Sequence, residues 1–471
     1  MKSTAHYEVV IIGLGTAGMT ARREVAKQTQ NYLIVHDGPL GTTCARVGCM
    51  PSKAFLQIAH DYHRSQKLFN KGLIDHSSKP NIKDLMTHTR ALRDRFVKNI
   101  INDMQDWEDK ILKGRAHFKD KNTIEVNGKI ITADKFIIAT GTTPVVPEEW
   151  KEYSSFFLTS DTLFELETLP QNILVMGLGV IGLELGQALS RLGINVTGIN
   201  RSDSLGGLTD PMIERYVLRR LKEEFPVYIG EAKLLGPSNG DQISVEIEGK
   251  IHNFDKVLLS VGRKPNLEKL GLKKLGIKLN NKGLPEFKQT NLSLLDMPHF
   301  FLAGDANGNR PILHEAADDG KIAGYNAVNE LRCFKRRVAI GITFTAPNIA
   351  TVGEKHDEII EKKIDFITGA VSFENQGRAI TKLEEQGLLH VYVRKNDGKI
   401  LGAEFQCPNG EHIAHLLAWA ISLDMTAPDA LKMPFYHPVV EEGLRTALRD
   451  AAKQLPNLED ELFFCDDPPI Y

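Results

Sequence analysis

The sequence predicts an α/β protein in which two Rossmann-like dinucleotide-binding domains are followed by an α+β C-terminal domain. Three observations carry that expectation. A strand, a glycine turn, a helix and a second strand occur in that order twice, around Gly13-Leu14-Gly15-Thr16-Ala17-Gly18 and again around Gly177-Leu178-Gly179-Val180-Ile181-Gly182. Two cysteines, Cys44 and Cys49, lie between these turns in the run GTTCARVGCMPSK, Gly41 to Lys53. Near the C-terminus, strand-like runs alternate with helical stretches around a histidine and a glutamate, His437 and Glu442.

In the first unit, the buried-strand pattern of Tyr7–Gly13 leads into the glycine turn, a helix is expected from Met19 to about Lys27, and Tyr32–Val35 forms the next strand. In the second, Asn172–Met176 precedes the turn, a helix is expected from Leu183 to about Leu192, and Asn195–Ile199 follows. Glycines at Gly13, Gly15 and Gly18, and at Gly177, Gly179 and Gly182, allow a tight turn, close approach of a pyrophosphate and close packing of helix on strand. The helix N-terminus then offers N–H groups and a partial positive charge to the phosphates. One such motif is weak; two in the same context imply two dinucleotide sites.

The position after each second strand usually carries an acid for the adenosine ribose. Here it is His36, with Asp37 beside it as a substitute, and Asn200, followed by Arg201. An acid would repel a 2′-phosphate and Asn200 does not. Arg201 reads either as a group that reaches such a phosphate or as a solvated surface arginine.

The chain's 471 residues suffice for about two to four domains. Its net charge of −2 gives no bulk attraction to nucleic acid or to a membrane surface, so neither is an expected partner. No apolar run approaches the ~20 residues of a membrane span. MKSTAH passes directly into the strand-like YEVVIIG with no room for a signal or transit peptide, so a cytoplasmic location is expected. Five cysteines are too few for a disulfide scaffold, and a close pair without a secretory signal reads as catalytic or metal-binding. Cys333, Cys407 and Cys465 are isolated, so no metal site is expected.

Cys44 and Cys49, with a glycine before the second and Pro-Ser-Lys after it, read as a redox disulfide. Residues five apart on an ideal helix sit about 140° round from one another, so their sulfurs diverge. A disulfide needs Cα atoms within about 7 Å. The segment is therefore expected to be distorted, with Gly48 tolerating the distortion.

With this pair between two nucleotide fingerprints, the chain resembles the class I flavin-dependent pyridine nucleotide–disulfide oxidoreductases over roughly residues 6 to 453. FIIATGTTP (Phe136–Pro144) resembles the close of the first flavin segment. LLSVGRKPN (Leu258–Asn266) resembles the end of the nicotinamide domain, and FFLAGDAN (Phe300–Asn307) the second flavin motif. FTAPNIATVG (Phe344–Gly353) and YHPVVEEGL (Tyr436–Leu444) resemble the start and the catalytic end of the dimerisation domain. Within the family, Pro51-Ser52-Lys53 is most like dihydrolipoamide dehydrogenase. Glutathione reductases usually have lysine in place of Ser52, mercuric reductases a C-terminal cysteine pair where Cys465 stands alone, and soluble transhydrogenases lack the redox pair.

The resemblance implies FAD and NAD as cofactors, with NADP not excluded, and a homodimer with the active site shared between subunits. It makes Cys44 the interchange sulfur and Cys49 the sulfur facing the flavin. It makes His437 the base for thiol–disulfide exchange, a role suited to histidine as a residue type, and Glu442 the group that holds its imidazole. The family's His-Pro bond is cis, and the same is expected at His437-Pro438; Val439 replaces the usual threonine. Lys53 and Glu184 are expected to meet near the flavin's reactive edge, and Asp305 to bind the ribityl chain. The remaining cofactor contacts implied are Thr42, Thr43, Ala116, Thr140, Gly141, Gly262, Gly304 and Ala316.

The expected division is a flavin domain at 1–145, a nicotinamide domain at 146–267, a flavin-side central segment at 268–337, a dimerisation domain at 338–453 and a tail at 454–471. Phe55–Gln105 is expected to form a long antiparallel helix pair. In the dimerisation domain, strands are expected at Leu388–Val393 and Ile400–Phe405, and helices at His412–Ser422 and Glu441–Lys453. The acidic tail reads equally as an element packed along the dimer, a partner-binding segment or a loosely attached end. The leading functional expectation is oxidation of protein-bound dihydrolipoamide with NAD⁺, the lipoyl domain of a 2-oxoacid dehydrogenase complex or of the glycine cleavage system being the macromolecular partner. The rival is an NAD(P)H-dependent reductase of another disulfide or of mercuric ion. A different class is a flavoprotein that mainly docks in a multienzyme assembly.

Overall fold

The computed structural model describes residues 5–76, 78–238 and 240–456. Strand β1 (Ala5–Ile12), buried from Val9 to Ile12, lies parallel between β2 (Tyr32–His36) and β3 (Lys129–Ile138). Such a strand is covered on both faces, which is why its apolar run is continuous rather than alternating. Ile111–Lys113 extends this sheet beyond β2; Thr123–Val126 and His117–Asp120 extend it beyond β3. Helix α1 (Thr16–Val25) follows β1. The short α2 (Thr43–Arg46), α3 (Cys49–Asn70) and α4 (Ile82–Asn102) follow β2, with α3 packed on α4.

The second unit repeats the pattern. Strand β4 (Asn172–Met176), helix α5 (Val180–Arg191), β5 (Asn195–Asn200), α6 (Pro211–Lys222) and β6 (Lys256–Leu259) form a parallel sheet with β4 between β5 and β6. Its strands pack against a three-stranded antiparallel sheet, Ala232–Ser238, Gln242–Ile247 and Lys250–Phe254.

The chain then returns to the first sheet. Strand β7 (Phe300–Leu302) pairs in parallel with β3, setting Phe300 beside Phe136. Phe118, Phe136 and Phe300 form a buried aromatic cluster with ring centroids 5.0–5.1 Å apart. Helix α7 (Leu313–Val328) lies on α1 with the two backbones touching. A side chain at Gly320 would come 2.2 Å from the Ala17 carbonyl oxygen, and one at Gly324 2.6 Å from that of Ala21.

The C-terminal part is an antiparallel sheet in the order Ile340–Thr343, β8 (Asn348–Gly353), β10 (Ile400–Cys407), β9 (Leu388–Arg394) and Phe366–Ser372. Helix α8 (Gly410–Ser422) packs on β8 and β10, and α9 (Glu442–Ala452) on β9 and Phe366–Ser372. β10 is buried at every position.

Two helix starts differ from expectation in the same way. α1 opens at Thr16 and α5 at Val180, ahead of Met19 and Leu183. The third glycine of each motif is thus a helical residue. A side chain at Gly18 would lie 2.0 Å from the Gly13 carbonyl oxygen, and one at Gly182 1.9 Å from that of Gly177. Without side chains, the first helical turn closes against the end of its strand. α3 likewise opens at Cys49 rather than Phe55, because the break in the chain falls at Gly48. The tail expected at 454–471 lies, from residue 457 onward, outside the described residues. Among those residues no helix is long and apolar enough to cross a membrane, and no three metal-ligating side chains cluster.

Candidate active site

The two glycine turns have the same construction. Gly13 and Gly177 take positive φ, +110° and +86°, and sit against the carbonyl oxygens of Ala139 and Ser260, the residues just past the ends of β3 and β6. Gly15 and Gly179 face open space, and each caps its helix with no side chain bonded to the helix N–H groups. A pyrophosphate needs that combination of free N–H donors and no Cβ in the way. The residues present fit a dinucleotide at both turns.

Around the first turn, Gly141 (φ +66°) and Gly304 (φ +68°) reverse the chain after β3 and β7. A side chain at Gly304 would meet the methyl groups of Ala17 and Ala316 at 2.8 and 3.3 Å. The Thr140 hydroxyl is buried without a protein partner, which suits a bound flavin dinucleotide. Asp305 accepts a 3.3 Å hydrogen bond from Thr142, and burial pushes its carboxyl above the ordinary carboxylate range. Gly262, at φ +112°, accepts from the Val145 N–H at 3.0 Å and ties the two domain connections together. Ala116 is core.

The strand-end residues are already engaged. His36 Nε2 lies 3.1 Å from the Pro39 carbonyl oxygen, and Asp37 forms a 2.5 Å ion pair with Arg115. Asn200 turns inward: its Oδ1 accepts from the Leu178 N–H at 2.8 Å, and its Nδ2 donates to the Ser202 and Ser204 carbonyls at 2.7 and 3.0 Å. Asn200 thus holds the second glycine turn, and Arg201 beside it is exposed.

The cysteine segment bends where the helix argument required. Thr42 caps α2 through its hydroxyl, which accepts from the Ala45 N–H at 3.2 Å, and Thr43 opens the helix. Gly48 (φ −116°, ψ −117°) separates α2 from α3. A side chain there would lie 3.1 Å from the Thr43 carbonyl oxygen and 3.2 Å from the Cys44 Cα, so Gly48 lets the two helix ends close on each other. Cys44 ends up beside Cys49, the first residue of α3. Both are free thiols, half-buried. The Cys44–Cys49 hydrogen bond pushes the Cys44 thiol far up and brings Cys49 down to about 7, with the Lys53 charge also lowering Cys49. Pro51, in the first helical turn, costs no hydrogen bond there.

Lys53 lies one helical turn after Cys49 and therefore on the same face. Its ammonium is 2.8 and 3.0 Å from the carboxylate oxygens of Glu184 on α5, and 4.6 Å from the centre of the Phe344 ring. Glu184 is buried and also accepts from the Phe344 N–H at 2.8 Å. One ion pair thus joins the first unit, the second unit and the C-terminal sheet. Phe344 opens the FTAPNIATVG run, and its place under Lys53 has no local sequence signal.

The His437-Pro438 bond is cis. His437 Nδ1 is 3.1 and 3.2 Å from the two oxygens of Glu442, the first residue of α9, and Glu442 also accepts from the Val439 N–H at 3.2 Å. The hydrogen bond with His437 is the main cause holding Glu442 below the usual carboxylate range. With Nδ1 occupied, Nε2 is the nitrogen left to exchange a proton. The His437 side chain is 80% exposed and Tyr436 is 79% exposed. No hydrogen bond or ion pair among the described residues joins this pair to Cys44 or Cys49. The pair is assembled and faces outward.

Known proteins share this construction. The pyridine nucleotide-disulphide oxidoreductase family profile matches residues 7–320, and the dimerisation-domain profile of the same name matches residues 340–448, which supports a homodimer. A mercuric reductase of Bacillus cereus is 30% identical over 96% of this chain and 72% of its own length. A dihydrolipoyl dehydrogenase of Geobacillus stearothermophilus is 29% identical over 92% of this chain and 94% of its own. Among solved structures, the Cu(II) complex of the HOCl-induced flavoprotein disulfide reductase RclA from Escherichia coli superposes with TM-score 0.83 at 20% identity, covering 94% of this chain and 99% of that one. LpdA from Mycobacterium tuberculosis gives 0.82 at 21%, with the same coverage.

Proposed function

The chain belongs to the pyridine nucleotide-disulphide oxidoreductase family, which uses FAD and NAD(P)H, and from that premise we propose that it oxidises dihydrolipoamide with NAD⁺ as a homodimer in the cytoplasm. The observation that carries dithiol chemistry is the unequal pair of thiols: Cys49 held down to about 7 beside Lys53, and Cys44 held protonated. Pro51-Ser52-Lys53, the Lys53–Glu184 pair and the dihydrolipoyl dehydrogenase relatives turn the reading toward dihydrolipoamide.

In the proposed cycle, His437 Nε2 of the second copy takes a proton from one substrate thiol. The resulting thiolate attacks the Cys44 sulfur of the Cys44–Cys49 disulfide. The substrate–Cys44 bond forms and the Cys49 sulfur leaves as a thiolate, the better leaving group because Lys53 stabilises it. The second substrate thiol, losing its proton, then displaces Cys44, which takes up a proton and becomes a thiol. The substrate is now a disulfide, and its electron pair resides on the cysteine pair. When bound, FAD would supply the electron carrier between the cysteine pair and the nicotinamide. The residues of this chain that would hold it are those of the first glycine turn with Thr140, Gly304 and Asp305; those of the second turn would hold the nicotinamide nucleotide. A lipoyl domain is the proposed macromolecular partner.

A second reading, reduction of a small disulfide or of mercuric ion by NAD(P)H, is favoured by Asn200, which sets no charge against a 2′-phosphate, by exposed Arg201, and by relatives named mercuric reductase. Side-by-side turnover of lipoamide, oxidised glutathione and mercuric ion with NADH and NADPH separates the two. Lipoamide inert with both nucleotides would remove the first reading.

A further inference from the structure

Glu404 stands in the middle of β10, opposite Thr351 on β8 and His390 on β9, and is fully buried. A buried carboxylate is costly unless its oxygens are satisfied. Its own part of the chain supplies one donor, the His356 N–H at 2.9 Å. Three more come from the end of the β5–α6 connection: the Thr209 N–H and hydroxyl, each at 2.6 Å, and the Asp210 N–H at 3.1 Å. The C-terminal sheet thus carries a charge that serves a segment of the nicotinamide-side unit. Three further contacts fasten that segment. Lys355 Nζ donates to the Gly207 carbonyl at 2.6 Å, and Asp210 accepts from Tyr392 at 3.0 Å and lies 2.7 Å from His390 Nδ1.

The other end of the connection is fixed to the second glycine turn. The Gly206 N–H donates to the Leu178 carbonyl at 3.1 Å, while the Leu178 N–H donates to Asn200 at 2.8 Å. Asn200 also binds the Ser204 carbonyl, and the Ser204 hydroxyl donates to the Leu208 carbonyl at 2.8 Å. Residues 200–210 therefore form a hydrogen-bonded strut running from Leu178, next to Gly179, to Glu404. Arg201 rides on it.

We propose that Glu404 is a positioning residue for nicotinamide-nucleotide binding: from the C-terminal domain it holds the strut that shapes the second glycine turn and carries Arg201. The proposal requires that the second turn bind a nicotinamide nucleotide. It does not depend on which dithiol or disulfide the protein turns over.

The test uses the flavin-loaded dimer and the variant Glu404→Gln, which keeps the shape but turns an N–H₂ group toward N–H donors. Calorimetric titration with NAD⁺ and NADP⁺, which cannot reduce the flavin, is expected to show binding weakened about tenfold, the loss of roughly one charge-assisted hydrogen bond. Amide exchange in 201–210 is expected to quicken. Flavin content, the rate of flavin reduction by a dithiol without nicotinamide, and kcat at saturating nucleotide are expected to hold. Lys355→Met, at a half-buried position, is expected to weaken binding in the same direction by about threefold, and it decides the matter if Glu404→Gln does not fold. Unchanged nucleotide affinity, or affinity, flavin content and dithiol half-reaction falling together, would overturn the proposal. Because binding is measured by heat, a wild-type protein inert with lipoamide would remove the dihydrolipoamide reading and leave this one standing.

Discussion

Replacing Lys53 with methionine removes the cation one turn from Cys49 while keeping most of the side chain's apolar volume. In the reduced protein the Cys49 thiol is held at about 7, against 9.0 for an ordinary cysteine. At pH 7 about half of it is therefore thiolate, where an unassisted cysteine would be about one part in a hundred. The hydrogen bond from Cys44 is the largest cause and the Lys53 charge a smaller one. An opposite charge at this range moves a titration by about 1 to 3 pH units, and partial exposure of the ammonium puts Lys53 at the low end. Lys53→Met is thus expected to raise the Cys49 midpoint by about 1 pH unit, near 1.4 kcal/mol between the two protonation states. Cys44→Ala is expected to raise it further. The assay is the pH dependence of iodoacetamide alkylation at Cys49, read by peptide mass on the anaerobically reduced protein between pH 5 and 10. A midpoint unmoved by Lys53→Met, or moved more by it than by Cys44→Ala, would refute this account of the thiolate.

Other consequences can be checked independently. Gly15→Ala puts a methyl group in open space, so the protein should fold normally yet lose bound flavin on gel filtration; Gly18→Ala drives Cβ to 2.0 Å from the Gly13 carbonyl oxygen and should fail to give soluble protein. His437→Gln should lower kcat for dithiol oxidation by about 10²- to 10⁴-fold, the usual worth of a general base, with nicotinamide binding unchanged by calorimetry. Glu442→Ala, which frees the ring but keeps it, should cost less. Burial raises Asp210, but the hydrogen bond and charge of His390, with the Met212 N–H and Tyr392, outweigh it and hold the carboxyl down to about 2, from 3.8. The folded value lies below the unfolded one, so this stabilisation is complete above about pH 4 and is lost as pH falls through about 2. Asp210→Asn should cost about 2 kcal/mol at pH 7 and flatten the fall of the urea midpoint between those two pH values.

What was legible in the sequence is what is local. The two glycine motifs announce themselves because strand, turn and helix are contiguous, and the first and third glycine of each answer a backbone collision visible in the fold while the second leaves open space. The break at Gly48 followed from helix geometry alone. The Lys53–Glu184 contact came from family resemblance, since nothing in either neighbourhood names the other. What stayed hidden depends on faces meeting across the chain. In Ile400–Cys407, Glu404 and Gln406 alternate with apolar residues, as on a strand with one wet face; the structure buries both, Glu404 beneath Thr209 and Asp210 and Gln406 beside Pro347. Asn200 stood at a ribose position by its place in the motif, yet its amide is turned to the backbone of Leu178. Asp37 stood as a substitute acid until the fold brought Arg115 to it from beyond α4.

The backbone contact of α7 on α1 sets an order of events during synthesis. The first sheet has its last strand and its covering helix only when Phe300–Leu302 and Leu313–Val328 have been made, because the first pairs with β3 and the second sets Gly320 and Gly324 on Ala17 and Ala21. By then the residues from β4 to β6 have long left the ribosome, and their sheet is built from neighbouring strands. Domains fold as units while the chain emerges. The sheet in the middle of the sequence therefore has all its strands first, and the N-terminal sheet waits for pieces that arrive from the far side of it.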